Sequence, residues 1–188
     1  SAKVVIDVFK EAGLPDGVVN IITGDGTTGS LIVNHKDINK IAFTGSTQVG
    51  KLIQKSLAGR DVGLTLELGG KAANIVYEDA AIDQAVEGVV NGIFFNQGHV
   101  CCAGSRLLLQ ESIHDEFITK LEKRMQTLRV GNPLDKNTDI GAVNSKEQLN
   151  KIEELVNEGV SDGGKIFQTE CELPGNGFWF KPTLFTDV

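Results

Sequence analysis

Short apolar runs alternate with segments of helical periodicity in the first third of the chain, and this alternation most constrains the fold. Three runs are typical of strands, at Val18–Ile22, Ile38–Phe43 and Leu64–Leu68. The segments between them are long enough for helices. Strands that alternate with helices of this length pair in parallel, with right-handed crossovers. The sequence therefore predicts an α/β fold with a parallel sheet in this part.

Two glycine-containing turns follow predicted strands and precede predicted helices. The first, Gly24–Gly29, has the G-x-G-x-x-G spacing of the dinucleotide-binding fingerprint. The second, Thr44–Gly50, places Gly45 at a strand end, and Ser46 or Thr47 can cap the next helix. Free N–H groups at a helix start can bind a phosphate, although glycine-rich turns are also common without any ligand. Two such turns on neighbouring strands would line one crevice, as in a Rossmann-like sheet.

The remaining residues predict a second α/β section, which has longer helices. A helix over residues 1–12 also opens the chain and stops at Gly13. The later elements expected are a strand at Asn74–Tyr77, a helix at 82–95, a strand at Arg106–Gln110, helices opened by Ser112 with Asp115 and by Ser145 with Gln148, a loop at 168–177 and an extended segment at 178–183.

Composition excludes several classes of function. The chain has 18 Lys and Arg against 25 Asp and Glu, a net charge of -7 without a basic face, which argues against nucleic-acid binding. We find no apolar run of membrane-spanning length and no motif with metal-ligand spacing. Three cysteines, two of them adjacent, do not form a disulfide framework, so a reducing, cytoplasmic location is expected.

The segment Phe94–Arg106 contains paired cysteines directly after the longest predicted apolar helix face. A thiol on a turn beyond a rigid helix could be a nucleophile. Alternatively, one or both cysteines could be small core residues, since free Cys is among the most buried residue types. His99 lies two positions before Cys101, where it could lower the thiol pKa or simply pack.

Glu67 interrupts the otherwise apolar end of the strand Leu64–Leu68. If this carboxylate is buried, its pKa would rise, which would suit it to work as a general base. The alternative is a structural ion pair with Lys71 or another cation. Both interpretations are open from the residues alone.

Four motifs together resemble the aldehyde dehydrogenase superfamily in their order and spacing. They are FTGSTQVGK, LELGGKAANIV, FFNQGHVCCAGSR and VGNPLDKNTDIGAV. The chain is similar to a contiguous central piece of a longer enzyme, with residues 1–68 as the later part of the dinucleotide-binding domain and 69–188 as the first part of an α/β catalytic domain. The resemblance implies Cys101 as nucleophile and Glu67 as general base. The cofactor-binding residues expected from the turns and from the resemblance are Gly26, Gly45, Ser46, Thr47, Val49, Gly50 and Leu68.

The resemblance implies oxidation of an aldehyde to a carboxylic acid with NAD or NADP. The route would be a thiohemiacetal and then a thioester on Cys101, hydrolysed with Glu67 as base. The expected partners are a small aldehyde and, in the longer protein, further copies of itself. One alternative is a non-catalytic scaffold, which His99 and a glycine loop one residue shorter than usual would favour. A second is cofactor-free hydrolysis of esters or thioesters.

Overall fold

The computed structural model describes the backbone from Ala2 to Val188 and the side chains from Val4 onward. Two compact units divide it, Ser1–Gly69 and Gly70–Val188. The division falls one residue beyond the boundary expected at Leu68. The roles of the two parts, dinucleotide-binding and catalytic, stay predictions.

The first unit contains a parallel strand–helix–strand arrangement, as the alternation predicts. Its elements are α1 (Ala2–Glu11), α2 (Gly26–Asn34), β1 (Lys40–Gly45), α3 (Thr47–Leu57) and β2 (Gly63–Leu68). The register of the parallel pair runs from Lys40 opposite Gly63 to Gly45 opposite Leu68. Apolar side chains of β1 and α3 form a small core of Ile41, Ile53 and Leu57. The α/β class is therefore confirmed.

Residues 18–22 do not form the predicted strand. The segment is irregular, and its valine and isoleucine side chains are between 40% and 66% exposed. A strand needs a neighbour for its N–H and C=O groups. Within the described residues of this unit, β1 and β2 pair only with each other. The apolar composition of residues 18–22 was not enough to make them a strand. The loop at Gly24–Gly29 consequently does not follow one.

The inner face of α3 differs in part from the prediction. Ile53 and Leu57 are buried as expected, whereas Val49 and Leu52 are 41% and 59% exposed. Gly50 is buried instead, and a Cβ at this position would overlap the side chain of Leu68. The absence of a side chain at Gly50 therefore allows the Leu68 side chain to pack directly against the backbone of α3.

The second unit contains two further two-stranded sheets and the longest helices. Its elements are β3 (Ala73–Val76), α4 (Ile82–Phe94), β4 (Arg106–Leu109), α5 (His114–Met125), α6 (Lys146–Ser161), β5 (Lys165–Gln168) and β6 (Thr183–Thr186). Strands β3 and β4 are parallel, and β5 and β6 are antiparallel. The main core lies between α4 and α5, where Val86, Val89 and Val90 meet Phe117, Leu121 and Met125.

The capping predictions have opposite outcomes in this unit. Ser145 caps α6, since its Oγ accepts the N–H of Gln148 at 3.2 Å. Ser112 caps nothing; it lies in a 3-10 turn before α5, and its hydroxyl donates to the Glu78 carboxylate at 2.8 Å. A carboxylate 34 positions away thus satisfies the hydroxyl that the local pattern assigned to the helix start.

The pair β5–β6 was not predicted as sheet. Residues 178–183 are expected to be extended, but the ladder begins only at Thr183, opposite Gln168. Phe167 and Leu184 pack against the main core, and Lys165 forms an ion pair with Asp187 at 2.6 Å. Such short strands depend on their neighbours more than on their own composition.

Candidate functional site

The turn after β1 places the N-terminus of α3 at the carboxyl end of the parallel pair. Ser46 is the N-cap, and its Oγ accepts the N–H of Val49 at 3.3 Å. Its carbonyl accepts the N–H of Gly50 at 3.0 Å. The earlier N–H groups of the first turn, on Thr47 and Gln48, have no intrahelical acceptor, as at any helix start. Of the two candidate caps, the structure selects Ser46.

The end of β2 lies beside this helix start. Thr44 is opposite Glu67, and Gly45 is opposite Leu68. The first unit therefore brings most of the predicted cofactor residues to one end of its sheet, which is where parallel α/β sheets bind ligands. The residues gathered there are Gly45, Ser46, Thr47, Val49, Gly50 and Leu68.

The loop before α2 is a capped helix start. The Asp25 carboxylate accepts the N–H groups of Thr27 at 2.9 Å and Thr28 at 3.4 Å. These bonds, foremost the one from the Thr27 backbone, lower the pKa of Asp25. The donors that a phosphate would use are already bound to a carboxylate, which favours the plain-turn interpretation of this loop. A Cβ at Gly26 would meet nothing within 4 Å, so Gly26 stays accessible to a ligand.

Another contact orients α2 within the first unit. Arg60, which follows α3, donates to the carbonyls of Val33 and His35, each at 2.8 Å. A guanidinium at the carboxyl end of a helix satisfies carbonyls that have no intrahelical donor and interacts favourably with the helix dipole. Arg60 therefore ties the end of α2 to the end of α3.

Glu67 is exposed in the first unit, so the burial that would raise its pKa is not found there. Exposed and half-buried residues alternate along β2, and Glu67 shares the exposed face with Gly63 and Thr65. Within the described residues of this unit, no cation forms an ion pair with it. Its carboxylate is therefore available to water and to a ligand.

A left-handed turn separates α4 from the cysteines. Asn96, Gln97 and Gly98 have φ of 49°, 55° and 73°, and the N–H of His99 donates to the carbonyl of Asn96 at 3.0 Å. Left-handed backbone costs an ordinary L-residue roughly 1–2 kcal/mol. Two strained non-glycine residues in succession require support from their surroundings.

Cys101 and Cys102 are both exposed, so the interpretation of either as a core residue is wrong. The turn that contains them is closed by the N–H of Ala103, which donates to Val100 at 3.0 Å. Ala103 and Gly104, which follow, are buried. Within the described residues, His99 forms no side-chain hydrogen bond with either thiol, and exposure alone does not choose between them.

Two carboxamides contact the loop of residues 95–105, hereafter the cysteine loop, and neither was predicted to do so. Asn74 donates to the carbonyl of Gly104 at 2.9 Å. Gln97 lies against the N–H of Gly141 and the carbonyl of Asn96. The signal for Asn74 was a polar residue inside an apolar strand; for Gln97, no local pattern indicates a partner so far along the chain.

Neither a metal site nor a membrane span is found in the described part of the chain. No group of three or more His, Cys, Asp or Glu side chains among residues 4–188 is arranged to hold a metal ion. No helix in the range 2–188 has the length and apolar character needed to cross a bilayer.

Comparison with known proteins identifies the relatives of this chain. The model of the aldehyde dehydrogenase family matches residues 1–188. Retinal dehydrogenase 2 of Taeniopygia guttata is 49% identical over 187 residues, which span 96% of this chain and 35% of that protein. An aldehyde dehydrogenase of Emericella nidulans is 46% identical over 191 residues, spanning 100% of this chain and 38% of its own length.

Solved structures agree with this result. The NAD+ complex of an aldehyde dehydrogenase from Bacillus cereus has a TM-score of 0.92 at 40% identity and matches 97% of this chain and 37% of its own. PnpE in complex with nicotinamide adenine dinucleotide has a TM-score of 0.93 at 36% identity, over 98% and 39% of the two chains. The chain thus spans little more than a third of the length of these relatives. The resemblance in the four motifs is confirmed: the chain belongs to the aldehyde dehydrogenase family.

Proposed function

We propose that the protein containing this chain oxidises an aldehyde to a carboxylic acid with NAD or NADP, using Cys101 as nucleophile and Glu67 as base. The main support is the family match over the whole chain, combined with an exposed Cys101 at the family's motif. Both solved relatives described above contain NAD. The substrate proposed is a small aldehyde, and the oligomer proposed is a homo-oligomer in a cytoplasmic, reducing compartment.

The first unit has the features that a dinucleotide requires. The backbone at Gly45 lacks a side chain, and the first turn of α3 presents the N–H groups of Thr47 and Gln48, which suit a pyrophosphate. We assign Leu68, which lies opposite Gly45, and Gly26, where a Cβ would meet nothing within 4 Å, to other parts of the same ligand. When bound, the dinucleotide would supply the acceptor for the hydride of the aldehyde.

Cys101 would form the covalent bond to substrate. Its thiolate adds to the carbonyl carbon, and the carbonyl π electrons move to oxygen, which becomes an oxyanion. The N–H groups of Cys101 and Cys102 donate to no acceptor within residues 2–188, so they are available to that oxyanion. After hydride loss the acyl group remains on the sulfur as a thioester.

Glu67 would complete the cycle. Its exposed carboxylate takes a proton from water, the resulting hydroxide adds to the thioester carbon, and the C–S bond breaks to release the acid and the Cys101 thiolate. An exposed position at a strand end suits this role, since water must reach both the base and the thioester.

Two adjacent thiols provide a matched test of the nucleophile. In the protein containing this chain, Cys101→Ser should lower aldehyde oxidation on the order of 10³-fold or more, because a serine hydroxyl without an adjacent base is a poor nucleophile. Cys102 is also exposed, and Cys102→Ser should retain activity near that of the parent. Formation of the reduced dinucleotide is followed by its absorbance. Parent-level activity in Cys101→Ser would show that the assignment is wrong.

A further inference from the structure

We infer that the carboxamides of Asn74 and Gln97 are positioning residues that fix the backbone on the two sides of Cys101. The catalytic consequence of this inference rests on the proposed function; its structural part does not. Neither residue is assigned a role by the chemistry above. Both lie in the second unit, together with the whole cysteine loop.

Asn74 fixes the downstream side of the loop. It lies in β3, and its Nδ2 donates to the Gly104 carbonyl at 2.9 Å. The N–H of Gly104 donates to the carbonyl of Gly92 in α4 at 3.2 Å. Gly104 is buried, and a Cβ there would overlap the Asn74 carboxamide. Both polar groups of a backbone unit three residues after Cys101 are therefore bound, one by a strand side chain and one by a helix.

Gln97 fixes the upstream side. With its amide oriented to satisfy both ends, its oxygen accepts the N–H of Gly141 at 2.7 Å, and its nitrogen donates to the carbonyl of Asn96 at 2.9 Å. A Cβ at Gly141 would lie only 2.5 Å from the end of the Gln97 carboxamide. Glycine at 141 leaves room for this contact, which joins the loop to a segment 44 residues further along the chain.

The strain in the loop explains why two such anchors are needed. Asn96 and Gln97 are left-handed non-glycine residues, which persist only where surrounding contacts over-determine them. Between the anchors, the thiols lie on a turn that has only local backbone hydrogen bonds. The position of the Cys101 sulfur therefore follows from the two carboxamides. Misplacement of a reacting group by about 1 Å can cost on the order of 10²-fold in rate.

The test compares three variants of the protein containing this chain. Asn74→Asp keeps the shape of the side chain but removes the N–H donor. Gln97→Met keeps a side chain of similar length but removes both hydrogen bonds of the carboxamide. Ser112→Ala is the matched control, since it removes a 2.8 Å side-chain tether of the same unit that lies outside the cysteine loop. Melting temperatures establish that each variant folds. If Asn74→Asp does not fold, the result for Gln97→Met alone tests the inference.

The first readout is amide hydrogen exchange at His99, Ala103 and Gly104, whose N–H groups are hydrogen-bonded in the loop; it needs no catalysis. We expect faster exchange than in the parent for both anchor variants. In Ser112→Ala the exchange rates should equal those of the parent. The second is steady-state kinetics, where kcat should fall by about tenfold or more while the KM for aldehyde changes little. Unchanged exchange in the anchor variants, or faster exchange with an unchanged kcat, would overturn the inference. Failure of the proposed function is a separate result, since it appears as full activity of Cys101→Ser.

Discussion

Glu67 and Cys101 are both exposed, but their backbones are held in different ways. Glu67 belongs to a regular strand whose ladder runs through it, so its direction follows from the pleat of β2. Cys101 lies on an irregular turn that follows a strained left-handed segment. We therefore expect the position of the Glu67 carboxylate to change little when neighbouring side chains are substituted. The position of the Cys101 thiol depends on side chains elsewhere in its unit.

Glu67→Gln should separate the two halves of the proposed reaction. The carboxamide cannot take a proton from water, so the thioester should form and then hydrolyse slowly. We expect a burst of NADH followed by a steady-state rate that is about 10²–10⁴-fold lower than in the parent. Thr65→Ser, on the same exposed face of β2, serves as control and should leave both phases unchanged. A steady-state rate equal to that of the parent would exclude Glu67 as base.

Helix starts are the elements in which local pattern and structure agree best. The caps Ser46 and Ser145 accept hydrogen bonds from residues three positions on; the sequence predicted Ser145 alone for α6 and either Ser46 or Thr47 for α3. Asp25 caps α2 in the same manner, although the glycine spacing around it suggested a phosphate loop. Ser112 departs from the pattern only because Glu78 lies within reach of its hydroxyl. A cap is thus predictable unless a distant partner competes.

The Asp25 cap should make the stability of the first unit depend on pH. The N–H groups of Thr27 and Thr28 lower the pKa of Asp25 below its ordinary value of 3.8. Because the folded pKa is depressed, the stabilisation is fully present above the unfolded pKa and is lost as pH falls through the folded pKa. Asp25→Asn keeps a capping oxygen without the charge.

The free energy of unfolding of the parent and of Asp25→Asn is measured by chemical denaturation, from about pH 5 down to the lowest pH at which both still fold. The parent should lose more stability on acidification than the variant does. Asp16→Asn, an exposed position outside any helix, is the control and should follow the parent. If the two profiles of parent and Asp25→Asn are parallel, the cap has no role in acid sensitivity.

At the scale of the whole molecule, the two units differ in how much core they contain. The first has a core of three buried side chains, and several of its valine and isoleucine residues are exposed. The second places α4 on α5 over a larger cluster that also includes Val76 and Ile140. The cysteine loop extends from the end of α4, so the core under that helix supports the candidate nucleophile.

Phe117→Ala should therefore be strongly destabilising. Its side chain is 0% exposed at the centre of the α4–α5 core, and truncation of a buried Phe costs about 3–5 kcal/mol. Phe95→Ala is the matched control, because Phe95 is 71% exposed and its removal leaves no cavity. Urea unfolding measures both. Equal losses in the two variants would contradict the assignment of Phe117 to the core.

The sequence by itself determined the α/β class, the parallel pairing around α3, the cap at Ser145 and, through its motifs, the family. For the cap of α3 it left Ser46 and Thr47 as alternatives. Each of these depends on residues within a few positions of one another or on a spacing along the chain. Tertiary structure alone decided that residues 18–22 form no strand, that Gly50 rather than Val49 faces β2, and that Ser112 bonds Glu78. It also decided that Asn74 and Gln97 contact the cysteine loop. The physical reason is that hydrogen bonds and close packing between distant segments depend on which groups the fold brings within reach, and local pattern contains no record of them.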